Sequence, residues 1–123
     1  MNTGAPLRIE IENDPLYRVI VLKGRLDLLT LTTFTDFINR EIIQGARQVL
    51  IDCSALDYIS SAGIGELVAA GKALETLGGS LAFAAPTSSV GKVFEMVGFP
   101  RLYTIYESRN AARAEARWLS GWR

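Results

Sequence analysis

The spacing of apolar residues divides the chain into alternating strands and helices. Residues 7 to 12 alternate between apolar and charged side chains, which predicts a half-exposed strand. Residues 16 to 23 are rich in β-branched side chains and contain a continuous apolar run, which predicts a strand covered on both faces and followed by Gly24. An Asn-Asp-Pro sequence between them indicates a turn, so we expect a hairpin.

After the hairpin, helical spacing alternates with short apolar runs. Helices are predicted from Leu31 to Ile42 and from Ser60 or Ser61 to Gly78, separated by a buried strand at residues 49 to 51. Further along the chain the pattern predicts a strand at 80–85, a short helix at 90–97, an edge strand at 102–106 and a last helix to about Trp118. This order favours an α/β fold with a mixed, mostly parallel sheet of four to five strands and about four helices.

Length and composition indicate a single domain over residues 1–123. The chain has 123 residues, 49% of them hydrophobic, and carries no internal repeat or low-complexity linker. Its first residues lack the pattern of a signal peptide, and no apolar run approaches the ~18 residues of a membrane span. We therefore expect a soluble cytoplasmic protein.

Charge and residue usage exclude several classes of function. Thirteen Lys and Arg residues balance 13 Asp and Glu residues without clustering, so neither a nucleic acid nor a membrane is expected as a partner. Because histidine is absent, Ser-His-Asp catalysis and His-ligated zinc are excluded. Gly63-Ile64-Gly65 does not continue as a dinucleotide fingerprint, and no phosphate loop is present. We expect no enzymatic activity, no cofactor and no metal.

The residues that carry chemistry lie between the second predicted helix and the strand before it. Ser60 and Ser61 fall where that helix begins, so either hydroxyl could cap it by accepting a backbone N–H. A phosphate on either serine would also be tolerated there, beside unpaired N–H groups and the positive end of the helix dipole. The small residues Ala62, Gly63 and Gly65 leave this turn open to close approach. Capping and phosphorylation both stay open at this point.

Five other positions are candidates for a specific role because of their residue type and their place in the chain. Asp27 and Asp52 are expected at the carboxyl ends of strands or in the loops after them, either as turn hydrogen-bonding groups or as functional ones. Cys53 follows an apolar run and has no adjacent cation, which favours a buried, inert thiol. Trp118 and Trp122 lie in a polar terminal segment and either pack on the sheet or mark a contact surface.

Four motifs, in order and spacing, resemble STAS domains, the sulfate-transporter and anti-sigma-factor-antagonist family. Gly24-Arg25-Leu26-Asp27 is similar to the family's G-x-L-D, and Gly78-Gly79-Ser80-Leu81 to its G-G-x-L strand. Asp52-Cys53-Ser54, with the run from Tyr58 to Gly65, resembles its D-x-S and D-S-S/T-G-L-G segments. The run from Val90 to Leu102 is similar to its third helix. The resemblance covers residues 7 to about 117 and implies a STAS-like fold.

What this resemblance implies is an anti-sigma factor antagonist that switches partners without being an enzyme. Such a protein binds a serine-kinase anti-sigma factor of the ATPase fold when unphosphorylated and is released when phosphorylated. A type 2C protein phosphatase reverses the mark. By this resemblance the family's phosphorylated serine falls on Ser61, because Gly63-Ile64-Gly65 aligns with its G-L-G. Ser60 stands where the family has Asp, and Ala62 where it has Ser or Thr, so a second hydroxyl makes Ser60 a minor alternative site.

The expected partner-binding surface is the turn together with Asp27, which the resemblance places near the phosphorylated serine. Its members are Asp27, Asp57, Tyr58, Ile59, Ser60, Ala62, Gly63, Ile64 and Gly65. Two other functions are compatible with the same fold. One is a non-phosphorylated scaffold or subunit of a lipid-transport or signalling assembly, and the other is a small-molecule or nucleotide binding module.

Overall fold

A computed structural model describes residues 6–115 as one five-stranded sheet with helices on both faces. The strands are β1 (Arg8–Asn13), β2 (Arg18–Leu26), β3 (Gln48–Ile59), β4 (Ser80–Ala84) and β5 (Ile105–Tyr106). The helices are α1 (Leu31–Ile43), α2 (Ser61–Thr76), α3 (Ser88–Met96) and α4 (Arg109–Ala114), and a 3₁₀ turn spans Phe99–Arg101.

The strands lie in the order in which they occur in the chain. β1 pairs antiparallel with β2, which confirms the predicted hairpin, and β2, β3, β4 and β5 are parallel neighbours. Because each parallel connection needs a crossover, α1, α2 and α3 follow β2, β3 and β4 in turn. The predicted α/β fold with a mixed, mostly parallel sheet and four helices is confirmed for the described residues.

Two hydrophobic clusters lie on opposite faces of the sheet. Alternate residues of β2 divide between them, with Ile20 and Leu22 in the larger cluster and Val19 and Val21 in the smaller. The larger cluster also takes the apolar faces of α1, α2 and α3, whereas Ala112 of α4 packs into the smaller one. The helices α1 to α3 therefore cover one face, and α4 covers part of the other.

The structure corrects the predicted strand ends. β2 continues through Gly24 to Leu26, and β3 continues to Ile59, so Asp52 lies inside a strand and not at its carboxyl end. Polar residues interrupt the apolar pattern of β3 and make the strand look shorter in the sequence. They lie at two bulges, where the register with β2 shifts by one residue. β5 is shorter than predicted, at Ile105–Tyr106. Trp118 and Trp122, and the predicted extension of the last helix, lie outside the described residues.

Candidate functional site

The candidate site is the segment that joins β3 to α2, which we call the Ser60 turn (residues 57 to 65). Parallel pairing brings it beside the end of β2, since Leu26 is the register partner of Ile59. The backbone N–H of Ser60 then donates to the Leu26 carbonyl oxygen at 3.0 Å. The end of β2 thus fixes the point at which the chain leaves the sheet and enters the helix.

The two serines of the turn have different environments. Ser60 is the N-cap of α2, and its Oγ accepts the backbone N–H of Gly63 at 3.1 Å, which confirms capping for this residue. Ser61 is the first helical residue and is exposed. Its hydroxyl has no hydrogen-bond partner in the part of the chain that the structure describes. Of the two hydroxyls, that of Ser61 is thus the accessible one.

The glycines of the turn serve different purposes. A Cβ on Gly63 would lie 2.6 Å from the Leu26 carbonyl oxygen and 2.9 Å from Cγ1 of Ile59, so only glycine lets α2 start this close to the sheet. A Cβ on Gly65 would meet nothing within 4 Å. Gly65 is exposed one helical turn after Ser61, and it leaves the surface beside that hydroxyl flat.

Asp27 organises the loop between β2 and α1. Its carboxylate accepts the backbone N–H of Leu29 at 3.0 Å and the Arg25 Nε at 3.3 Å. Thr30 closes the loop because its Oγ1 donates to the Arg25 carbonyl at 2.8 Å and accepts the Asp27 N–H at 3.0 Å. Turn hydrogen bonding at Asp27 is therefore confirmed, although no side-chain bond from Thr30 caps α1.

This loop presents two leucines to solvent. Leu28 is 74% exposed and Leu29 is 91% exposed, whereas apolar side chains of this size are usually buried. Tyr58, at the end of β3, is 41% exposed, and the Arg25 guanidinium carbon lies 4.2 Å from its ring centroid. Sequence reasoning missed both leucines and Arg25. Nothing in their local pattern distinguishes them from core leucines and a surface cation.

The start of α3 anchors the turn from its other side. Thr87, the N-cap of α3, donates its Oγ1 hydrogen to the Leu56 carbonyl at 2.8 Å. Ser89 donates similarly to the Asp57 carbonyl at 3.1 Å. The sequence pattern did not single out either residue. Their hydrogen bonds fix the backbone immediately before the Ser60 turn.

The structure brings most of the predicted surface to one end of the sheet. Asp57, Tyr58, Ser61 and Gly65 are exposed, whereas Ile59 and Gly63 are buried and set the shape of the turn from below. The half-buried members of the predicted surface are Asp27, Ser60, Ala62 and Ile64.

Two predicted positions lie away from this end. Asp52 is buried inside β3, where one carboxylate oxygen accepts the Ser54 N–H at 2.8 Å and the other lies 3.4 Å from Arg109 Nη1. Cys53 is also buried, and burial raises the pKa of its thiol far above the usual range, with the Asp52 charge adding to the rise. The inert thiol that the sequence predicts fits this environment.

The described residues offer few other chemical groups. Within residues 6–115, no three His, Cys, Asp or Glu side chains come together in a way that could hold a metal ion. None of the helices in that range is long and apolar enough to cross a membrane. What the site provides is an exposed hydroxyl at a helix start, with exposed apolar side chains at the same end of the sheet.

Comparisons with known proteins agree with this architecture. The family model of the STAS domain matches residues 8–112. A curated relative, the putative anti-sigma factor antagonist BtrV of Bordetella bronchiseptica, is 36% identical over 74 residues, which are 60% of this chain and 64% of that protein. The match thus spans less than two thirds of the relative's length.

Two solved structures share the fold at low sequence identity. An anti-sigma factor antagonist from Mycobacterium paratuberculosis superposes with a TM-score of 0.79 and 18% identity, covering 88% of this chain and 92% of that one. The Bacillus cell fate determinant SpoIIAA, solved in its phosphorylated form, gives a TM-score of 0.67 and 22% identity, covering 87% and 97%. At these identities the two structures are evidence of fold alone.

Proposed function

This chain belongs to the STAS domain family, and we propose that it acts as an anti-sigma factor antagonist whose partner binding is controlled by phosphorylation of Ser61. The observation that carries the proposal is the contrast between the two serines. Ser60 uses its hydroxyl to cap α2, whereas Ser61 exposes its own at the first position of the same helix. The named function of BtrV supports this class of activity.

The helix start makes Ser61 a favourable place for a phosphate. The first N–H groups of a helix carry a partial positive charge, which offsets the roughly −1.5 to −2 charges that a phosphate brings at pH 7. Gly65 leaves space beside the hydroxyl, so a kinase can approach it without displacing a side chain. Phosphorylation therefore requires no unfolding of α2.

The apolar side chains near the turn supply the binding energy of the unphosphorylated state. Leu28, Leu29 and Tyr58 are exposed at the same end of the sheet as Ser61, and their burial against a partner would remove apolar surface from water. A phosphate at Ser61 would have to be desolvated in this interface. A shift from 99:1 bound to 1:99 needs about 5.5 kcal/mol, and burial of an unpaired anion reaches that order.

The partner that fits this surface is an anti-sigma factor that is itself a serine kinase of the ATPase fold. This chain contributes the attacking hydroxyl of Ser61, while ATP, the metal and the base come from the kinase, because this chain has no histidine and no phosphate loop. A type 2C protein phosphatase then removes the phosphate. In this cycle the chain is a cytoplasmic regulator and not an enzyme, and it binds no nucleic acid or membrane.

The test is capture of the partner from the native host, followed by phosphorylation of the purified pair with ATP. We expect phosphate on Ser61 by peptide mass spectrometry, none in Ser61→Ala, and normal phosphorylation of Ser60→Ala. Ser61→Asp should bind the captured kinase at least tenfold more weakly than wild type. If Ser61→Asp binds as tightly as wild type and no phosphate appears on either serine, the scaffold function is favoured and the switch is wrong.

A further inference from the structure

β1 is an edge strand of the sheet, and within residues 6–115 no strand pairs with its outer side. Among residues 6–115, β1 pairs with β2, and five of the six residues of β1 are exposed. The outer backbone groups of such a strand are available to another strand of suitable sequence. β1 contains no proline, and no register shift interrupts its pairing with β2, so it keeps the regular backbone that strand addition needs.

The sequence of β1 is complementary to itself in the antiparallel direction. Its residues read Arg-Ile-Glu-Ile-Glu from position 8 to position 12. If two copies pair with Glu10 opposite Glu10, then Arg8 of each copy faces Glu12 of the other, and Ile9 faces Ile11. Opposed residues share a face of the sheet, so the ion pairs lie on one face and the isoleucines on the other.

Within one chain, the ion pairs around β1 do not balance the charges of Arg8 and Glu12. Lys23 lies 3.0 Å from Glu10, so that pair is neutral. Arg109, in contrast, is shared between the carboxylates of Glu12 and Asp52. At this end of β1, one positive charge is thus paired with two negative charges. At the other end, Arg8 has no ion-pair partner within residues 6–115.

The isoleucines point to the same arrangement. Ile9 is partly buried against the larger hydrophobic cluster, and Ile11 is 38% exposed on the same side of β1. Antiparallel pairing would place each Ile11 against the Ile9 of the other copy and so extend the apolar layer across the joint. The chosen register has one contact between like charges, Glu10 opposite Glu10, and each of these carboxylates keeps its own Lys23. A neighbouring register centred on Ile11 is disfavoured because Glu10 would face Glu12 twice and Ile9 would face Asn13 instead of isoleucine.

We propose that a second copy of this chain adds its β1 antiparallel to the free edge of β1, centred on Glu10, to form one continuous ten-stranded sheet. The excess negative charge around Glu12 and the positive charge of Arg8 then neutralise each other across a two-fold axis. The strand-to-strand contact is small, so the dimer dissociates on dilution. The proposal concerns the opposite edge from the β4–β5 side and stands apart from the function of Ser61.

Sedimentation of the purified full chain tests the proposal through a charge exchange. We expect wild type to form dimers reversibly at chain concentrations up to about 1 mM, the range of weak specific complexes. Arg8→Glu and Glu12→Arg should each weaken the dimer at least tenfold, since like charges then face each other. An equimolar mixture of the two variants should form heterodimers. Positions 8 and 12 are both acidic in the first variant and both basic in the second, so the two facing pairs formed by these positions then join opposite charges.

Controls separate this contact from effects of net charge and folding. Lys92→Glu and Asp36→Arg make the same charge changes at exposed positions away from β1 and should dimerise as wild type does. Circular dichroism verifies that every variant is folded. The proposal is overturned if wild type is monomeric at about 1 mM, if Arg8→Glu dimerises as wild type does, or if the folded variants fail to associate when mixed.

Discussion

Replacing Gly63 by alanine tests the account of how α2 is seated on the sheet. The new Cβ would lie 2.6 Å from the Leu26 carbonyl oxygen, 2.9 Å from Ile59 Cγ1 and 3.0 Å from Leu26 Cγ. Ordinary contacts between carbon atoms lie at about 3.5 to 4.0 Å, so the backbone must move by several tenths of an ångström. The atom that moves least easily is the Leu26 oxygen, because it accepts the Ser60 N–H.

The magnitude follows from three contributions. Overpacking of this kind costs about 1 to 3 kcal/mol. Weakening the hydrogen bond between Ser60 and Leu26 adds about 1 kcal/mol. Alanine in place of glycine inside a helix returns about 1 kcal/mol. We therefore expect Gly63→Ala to lower the free energy of unfolding by about 1 to 3 kcal/mol.

Gly65→Ala is the matched control because the same substitution, two residues later in the same helix, meets nothing within 4 Å. It should raise the free energy of unfolding by up to about 1 kcal/mol through helix propensity alone. It should also weaken binding of the captured kinase, because its methyl group stands beside Ser61 on the proposed interface. The two variants thus separate folding from binding.

Urea denaturation followed by circular dichroism measures both effects. The two variants should differ in free energy of unfolding by about 1 to 4 kcal/mol. With an m-value of about 1 to 3 kcal/mol per molar urea for a small domain, their midpoints should differ by about 0.3 to 4 M. The conclusion that α2 can start this close to the sheet only with glycine at position 63 is refuted by either of two results. One is that Gly63→Ala is as stable as wild type, and the other is that both glycine variants lose the same stability.

Three further predictions address single side chains. Ser60→Ala removes the cap of α2 and should lower the free energy of unfolding by about 1 kcal/mol in urea denaturation, a result that an unchanged midpoint would contradict. Cys53 should react with a thiol reagent at pH 8 only at the rate of unfolding, since burial raises its pKa, and fast reaction of the native protein would disprove this. Hydrogen bonding and charge from Arg109 lower the pKa of Glu12. The stability that this pair contributes is therefore present above the unfolded-state pKa of about 4.3 and is lost as the pH falls from there through the lowered pKa of the folded state. Glu12→Gln should make the free energy of unfolding less dependent on pH in this acidic range.

Local signals predicted the elements that depend on short-range contacts. The helical spacing from Leu31 and the serine at position 60 mark the starts of α1 and α2 within one residue of their observed places. The start of α2 is set by the Ser60 cap, whereas α1 has no side-chain cap and its start follows its apolar face. Both signals lie in residues that are close together in the sequence. The same holds for the alternation of β1, because its inner face packs on the core and its outer face is solvated.

Elements that depend on long-range pairing were predicted less well. β3 runs to Ile59 because β2 pairs with it to its end, although Ser54 and Asp57 interrupt the apolar pattern. Those two residues lie at bulges, where the alternation of inward and outward side chains is interrupted, so a search for period-two alternation does not detect the strand there. The exposure of Leu28 and Leu29 follows from hydrogen bonds around Asp27, and a leucine pair in isolation predicts burial instead.

The hydrogen bonds from Thr87 and Ser89 to the end of β3 have a consequence for binding kinetics. With Leu26 holding the turn from β2 and α3 holding it from the other side, the backbone around residues 56 to 60 is ordered before any partner arrives. Complex formation then loses little chain entropy at this segment, and affinity differences among partners or variants are expressed mainly as differences in residence time. Loosening one anchor would make association slower while every contact in the final complex stayed the same.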